Sequence, residues 1–164
     1  MTKFNEPSRI PMHFLFSRLT KSFLGALVSK LEGKGPDKYF SALLLIHRSG
    51  ETLTQQELAD QLRVDKTSIV RVIDYLSKTG FIKRKINPED RRQHLLELTS
   101  KAKAVMPEIE SCVEEMNGLA LKGFTEKEKK QYYEMLDRIY CNLSGLPSDN
   151  IYLNYIKTKK GSSK

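Results

Sequence analysis

The stretch from Leu53 to Thr99 constrains this chain more than any other, because it strings several local signals together in a fixed order. Thr54-Gln55-Gln56-Glu57 has the spacing of a capping box, in which a threonine hydroxyl and a glutamate carboxylate satisfy amides orphaned at a helix start. The helix it opens, Gln55–Leu62, would bury Leu58, Ala59 and Leu62. Arg63-Val64 breaks the pattern, and Asp65 is placed to cap a second helix, Lys66–Lys78, whose Ile69, Val72, Ile73 and Leu76 share one face. The small Ala59 lies where the two helices would pack. Gly80 ends the second helix, and residues 81–86 read as a strand of branched and basic side chains. A turn at Asn87-Pro88-Glu89-Asp90 and the basic run Arg91-Arg92 lead through Gln93 into a second strand, His94–Leu98. Two short helices across a tight turn form a helix-turn-helix, and a basic hairpin directly after it is a wing.

The flanking segments read as helices with apolar stripes. Residues 10–31 space Phe14, Leu19, Phe23, Leu27 and Leu31 at intervals near four and five. Gly33-Lys34-Gly35-Pro36 interrupts, and residues 37–48 should form a nearly all-apolar, deeply buried helix through Leu43-Leu44-Leu45-Ile46. Residues 99–121 follow the wing as a long helix capped by Thr99, with Pro107 inside it, where it should bend the helix or remove a hydrogen bond. Thr125-Glu126-Lys127-Glu128 is a second capping box, opening a helix that carries Tyr132, Leu136, Ile139 and Leu143 on one stripe. Gly145-Leu146-Pro147 stops it. The tail holds an aromatic patch at residues 151–156, expected to dock on a neighbour, before a polar end. The fold class expected is mainly α, a winged helix-turn-helix with a two-stranded β wing between N- and C-terminal helices.

Composition narrows the partners without choosing one. With 28 Lys and Arg against 20 Asp and Glu, the net charge of +8 suits nucleic acid or an anionic membrane surface. The longest strongly apolar run, residues 39–46, is far shorter than the roughly 20 residues a bilayer span needs, and the N-terminus lacks a signal-peptide pattern, so a cytoplasmic protein without a membrane partner is expected. Cys112 and Cys141 form no CxxC pair and have no histidine at ligand spacing, so they read as reduced thiols. An enzyme would need a convergent polar constellation, and no Ser/His/Asp grouping, paired carboxylates or phosphate-cradling glycine loop is visible. A winged helix that binds only protein tends to lose its basic face, and here wing and helix are both basic.

Asn87 to Thr99 resembles the wing signature of the MarR family: Asp90-Arg91-Arg92 supplies an Asp-x-Arg tip, and Leu96-Glu97-Leu98-Thr99 a strand ending Leu-x-Leu-Thr before a long helix. Leu76 to Arg84 is similar to that family's recognition-helix exit, and Leu53 to Ala59 to its helix-turn-helix entry. The resemblance covers residues from about Ile10 to Leu143. It implies a homodimer built from the first and last two helices, binding a pseudo-palindromic operator, usually as a repressor, and in many members released by a small phenolic or other anionic ligand or by an oxidant. Residues 1–145 are then a single domain, with 36–98 as the winged helix-turn-helix and 8–33 with 99–145 as dimerisation helices; 146–164 form a partly disordered tail. Phe14, Leu19, Phe23, Tyr132, Leu136, Ile139 and Leu143 are the expected dimer contacts.

Double-stranded DNA is the expected partner, and no cofactor or metal is expected. The DNA-facing set comprises Thr54 and Gln55, then Lys66, Thr67, Ser68, Arg71 and Tyr75 on the second helix, then Arg84, Asp90, Arg91 and Arg92 on the wing. Ser68 and Arg71 are the best candidates for base edges, since an arginine bonds guanine O6 and N7 through two donors. Lys66 and Thr67, at the helix start, suit phosphates. Lys83, Arg84, Lys85 and Arg91 add a basic field. The resemblance makes Arg92 the side chain inserted into a minor groove, whose negative potential draws a guanidinium when it is narrow, and Asp90 the carboxylate that pairs with a wing arginine. It also places His13 and His47 on helices lining a ligand cleft, although a satisfied, partly buried histidine is the simpler reading. The peroxide-sensing branch carries a reactive cysteine near the start of the first helix, and this chain has none there.

Overall fold

The computed structural model describes residues 10–36 and 38–146. They form α1 (Met12–Lys30), α2 (Phe40–Arg48), α3 (Gln55–Leu62), α4 (Lys66–Lys78), β1 (Ile82–Ile86), β2 (His94–Leu98), α5 (Ser100–Ala120) and α6 (Glu126–Leu143). The architecture is mainly helical, with one antiparallel two-stranded sheet. The aromatic patch expected at residues 151–156 and nearly all of the tail lie outside the described residues.

Local chemistry sets most boundaries. Thr54 Oγ1 accepts the Glu57 amide while Glu57 accepts the Thr54 amide, a complete capping box, and Thr125 with Glu128 repeats it at α6. Asp65 accepts the Ser68 amide at 2.7 Å, and Thr99 the Ala102 amide at 3.2 Å. At the end of α4, Gly80 (φ +76°) lets the Phe81 amide reach the Leu76 carbonyl at 2.8 Å and its own amide reach Ser77 at 3.0 Å, a Schellman closure. α3 closes in the same way through Arg63 (φ +52°), whose neighbour Val64 donates to the Ala59 carbonyl at 3.0 Å. An L-residue there costs about 1–2 kcal/mol relative to glycine.

A single apolar core joins α2, α3, α4, the wing and the first half of α5. Leu43, Ile46, Leu58, Ile73, Leu76, Leu96 and Ile109 lie at its centre with no measurable exposure. Truncating any one of them to alanine should cost about 2–5 kcal/mol. Within the apolar run of α2, Leu43 and Ile46 are buried but Leu44 and Leu45 only half so, because four consecutive helical residues cannot share one face. That helix begins at Phe40 and not at residue 37, since Tyr39 before it is left-handed (φ +64°). α5 runs continuously through Pro107, which has no amide to give the Lys103 carbonyl one turn back.

α1 is divided along its length. Its C-terminal half packs Phe23, Leu24, Leu27 and Val28 onto the core, tied to α5 by Lys30–Glu115 at 2.6 Å. Its N-terminal half leaves Phe14 and Leu19 55% and 62% exposed. Phe23, expected in a dimer contact, is therefore partly used by its own chain's core. α6 buries none of its residues. Among the described residues, no helix is long and apolar enough to cross a membrane.

A candidate nucleic-acid interface

α4 turns its apolar face inward with Ile69, Val72, Ile73 and Leu76 buried. Its opposite face exposes Lys66, Thr67, Arg71 and Asp74. The Ser68 hydroxyl is half-buried and donates to Asp65 at 3.0 Å, so it serves the helix start. Tyr75 is half-buried too, its ring edge-on to Tyr39 at 5.4 Å, with the Lys38 ammonium 5.6 Å above it. The geometry thus puts Tyr75 on the flank of the helix facing its own chain, apart from the exposed face that holds Arg71.

The wing is a short hairpin with Lys83 opposite Glu97 and Ile86 opposite His94. The segment before α3 widens it, through a bridge from Thr54 to Leu95 and the Leu96 amide on the Leu53 carbonyl at 2.9 Å. Thr54 is consequently 9% exposed, its hydroxyl and amide both on Glu57 at 2.8 Å, and little of it faces outward. Gln55, the next residue, is half-exposed at the mouth of α3. At the tip, Asp90 accepts the Arg92 backbone amide and the Gln93 side-chain amide, both at 3.0 Å. The carboxylate holds the turn through these amides, where the resemblance implied pairing with an arginine side chain. The bond from Arg92 is made by its backbone amide, two residues from Asp90. Arg91 and Arg92 stand exposed.

Acidic residues of the same chain hold the rest of the basic field. Glu97 takes Lys83 and Lys85 at 3.0 Å each, and their hydrogen bonds, Lys83 first, hold its carboxyl below the usual carboxylate range. Arg84 reaches Asp74 of α4 at 2.6 Å, a charge-assisted bond from the wing to that helix. Of the eleven residues expected at DNA, the structure gathers Lys66, Thr67 and Arg71 on one exposed face and Arg91 and Arg92 at one tip, and leaves Gln55 half-exposed at the start of α3; Thr54, Ser68, Tyr75, Arg84 and Asp90 have partners within the chain. Asp74, Glu97 and Gln93 were not singled out from the sequence. Glu97 was legible from strand register, lying opposite a lysine, but the Asp74 contact needs the tertiary fold.

Behind the wing, the Thr99 hydroxyl donates to the Gly80 carbonyl at 2.7 Å, and Lys101 to the Thr79 carbonyl at 2.8 Å while sitting 4.3 Å above the Phe81 ring. These contacts tie the end of α4 and the start of α5 into one joint. His47 approaches Glu110 of α5 at 3.9 Å, and His13 stacks on Phe14 at 4.4 Å. Cys112 is buried and Cys141 exposed. Among the described residues, no group of three His, Cys, Asp or Glu side chains could hold a metal ion.

The same arrangement recurs in known proteins. The MarR family model matches residues 38–94, which span the winged helix-turn-helix. The HTH-type transcriptional regulator YybA of Bacillus subtilis (strain 168) is 30% identical over 118 residues, 71% of this chain and 79% of that protein. The crystal structure of MarR superposes with a TM-score of 0.65 at 33% identity, over 81% of this chain and 97% of that one. CouR from Rhodococcus jostii RHA1, bound to p-coumaroyl-CoA, gives a TM-score of 0.72 at 26% identity, over 82% and 94% of the two chains. The repressor CouR on a 23-mer DNA duplex shares the fold, with a TM-score of 0.70 at 23% identity, over 85% and 98%. With the family model matching its winged helix-turn-helix and a relative 30% identical over 71% of its length, the chain belongs to the MarR family of transcriptional regulators.

Proposed function

We propose that this chain is a cytoplasmic, sequence-specific DNA-binding regulator that grips duplex DNA as a homodimer, and not an enzyme. The observation that carries the reading is a pair of exposed cationic features on one lobe: Arg71 with Lys66 on α4, and Arg91 with Arg92 at the wing tip. In this reading residues 36–98 make the DNA contact, and residues 8–33 and 99–145 assemble the dimer. Lys66 and Thr67 hold phosphates at the start of α4, Gln55 adds a contact from α3, and Arg71 reads a base edge in the major groove. Arg92 enters the adjacent minor groove, with Asp90 fixing the turn that presents it. Two-fold symmetry then requires a pseudo-palindromic operator with half-sites about 10 base pairs apart.

Repression by occupying that operator, and release by a small phenolic or other anionic ligand, complete the proposal. The support is the repressor CouR, solved on DNA and, separately, with p-coumaroyl-CoA. A fluorescence titration with random duplex DNA across a salt series tests the core of the reading. Binding should weaken steeply with salt, the logarithmic slope being about −0.9 for each phosphate neutralised. Failure to bind duplex at low salt would remove the proposal, whereas salt-insensitive binding would remove the basic face as its cause.

A further inference from the structure

Arg63 stands in the helix-turn-helix turn, at the left-handed position that closes α3, where glycine would be the unstrained choice. Its side chain does not serve that turn. Its Nη2 donates to the carbonyls of Ser144 at 3.1 Å and Leu146 at 3.2 Å, just past the end of α6, more than 80 residues along the chain. The guanidinium also lies 5.7 Å from the centre of the Tyr140 ring. A helix end leaves its last carbonyls without partners and carries partial negative charge, so a cation with a forked donor set suits it. α6 itself buries no residue against the chain, which makes this polar contact a specific tether between it and the DNA-binding lobe.

We infer that Arg63 is a positioning residue: it latches the helix-turn-helix turn to the C-terminus of α6 and thereby fixes the separation of the two recognition helices in the dimer. The proposal rests on the dimeric, palindrome-binding reading above. α5 holds the lobe on one side, through Thr99 and Lys101. Arg63 holds it on the other, at α6, and two attachments define an orientation that one leaves free to rock. DNA with correctly spaced half-sites is gripped by both lobes without moving them, and wrongly spaced DNA has to swing them against the latch.

The test uses the full chain on duplexes bearing two copies of a half-site selected from a random library, with the spacing stepped one base pair at a time around about 10. The wild type should bind one spacing best. In Arg63→Gly, the preference for that spacing over one two base pairs away should fall by about fivefold or more. Affinity for a single half-site and its salt slope should stay unchanged, and the melting temperature should not drop, because glycine accepts the left-handed turn. Arg63→Asn, which also tolerates that backbone, should behave like the glycine variant, and Arg63→Lys should keep part of the preference. A sharp spacing preference in the wild type that persists in both the glycine and asparagine variants overturns the latch alone. A weaker single half-site affinity with a shallower salt slope also overturns it, making Arg63 a phosphate contact. A wild type indifferent to spacing removes the palindromic reading, and the latch with it.

Discussion

Glu57 accepts two hydrogen bonds from Thr54, at the amide and at the hydroxyl, each at 2.8 Å. Both favour the ionised carboxylate, the amide most, and hold its pKa below the usual range. Because the folded value is the lower one, the stabilisation is present above the unfolded value and is lost as pH falls through the folded one. The melting advantage of the wild type over Glu57→Gln should therefore hold at neutral pH and disappear in acid, once pH has fallen below the ordinary glutamate range and through the lowered folded value. Glutamine preserves the acceptor but not the charge, so an advantage that persisted in acid would assign the effect to geometry. Thr54→Ala removes the reciprocal bond as well, and should cost about 1 kcal/mol by denaturant titration, most of it independent of pH.

At the level of elements, the Arg84–Asp74 pair joins the wing to α4. Both side chains are substantially exposed, so breaking the pair should change stability by less than about 1 kcal/mol. Its effect on binding is more diagnostic. Asp74→Ala removes an acidic group, and charge alone predicts tighter binding to any duplex. If the pair aims the wing, the same variant should also lose preference at the outer flanks of the site; a uniform gain in affinity would make Asp74 a bystander. Arg71→Ala should cost about 1–3 kcal/mol on the selected site and flatten discrimination at one position. Arg92→Ala should reduce the salt slope by about one unit and weaken A·T preference at the flanks, with central preferences retained. Isotherms on single-base variants over a salt series separate these outcomes, and equal weakening on all sequences would make Arg71 a phosphate clamp.

What the chain announced and what it hid divide along the same line. The capping boxes, the Asp65 and Thr99 caps and the Gly80 stop depend on residues within three or four of one another, so spacing alone revealed them. The start of α2 did not follow from pattern, because an apolar run has no marked edge and the left-handed Tyr39 is not a residue type that signals a turn. The basic field looked larger in sequence than in space, since Lys83, Arg84 and Lys85 acquire acidic partners only once strand register and the packing of β1 beside α4 are set. Arg63 was legible as a break but not as a contact, because its partners lie at the far end of the chain.

For the molecule as a whole, the decisive feature is α6, an 18-residue helix that buries no residue. Tyr132, Leu136 and Ile139 are half-exposed, while Tyr133, Met135, Tyr140 and Leu143 are exposed, the last at 47%. At about 100° per residue these seven side chains sweep an arc of about 160°, broader than the four-residue stripe read from the sequence. So wide an apolar face is unfavourable in water, and Phe14 and Leu19 leave a second exposed apolar surface on α1. The partner best matched to these surfaces is a second copy of the same chain, since a two-fold contact lets one patch cover itself. Sedimentation at low micromolar concentration should therefore give a dimer of the 18.9 kDa chain. Ile139→Asp combined with Leu143→Asp should yield a folded monomer, because neither side chain belongs to the core that stabilises the lobe. That monomer should keep the salt-dependent contact of one lobe with a half-site but lose most of its affinity for the full operator, where the second lobe no longer binds at high effective concentration. A wild-type chain that sediments as a compact monomer, or a monomeric variant that binds the full operator as tightly as the wild type, would show that α6 is not the surface on which two copies meet.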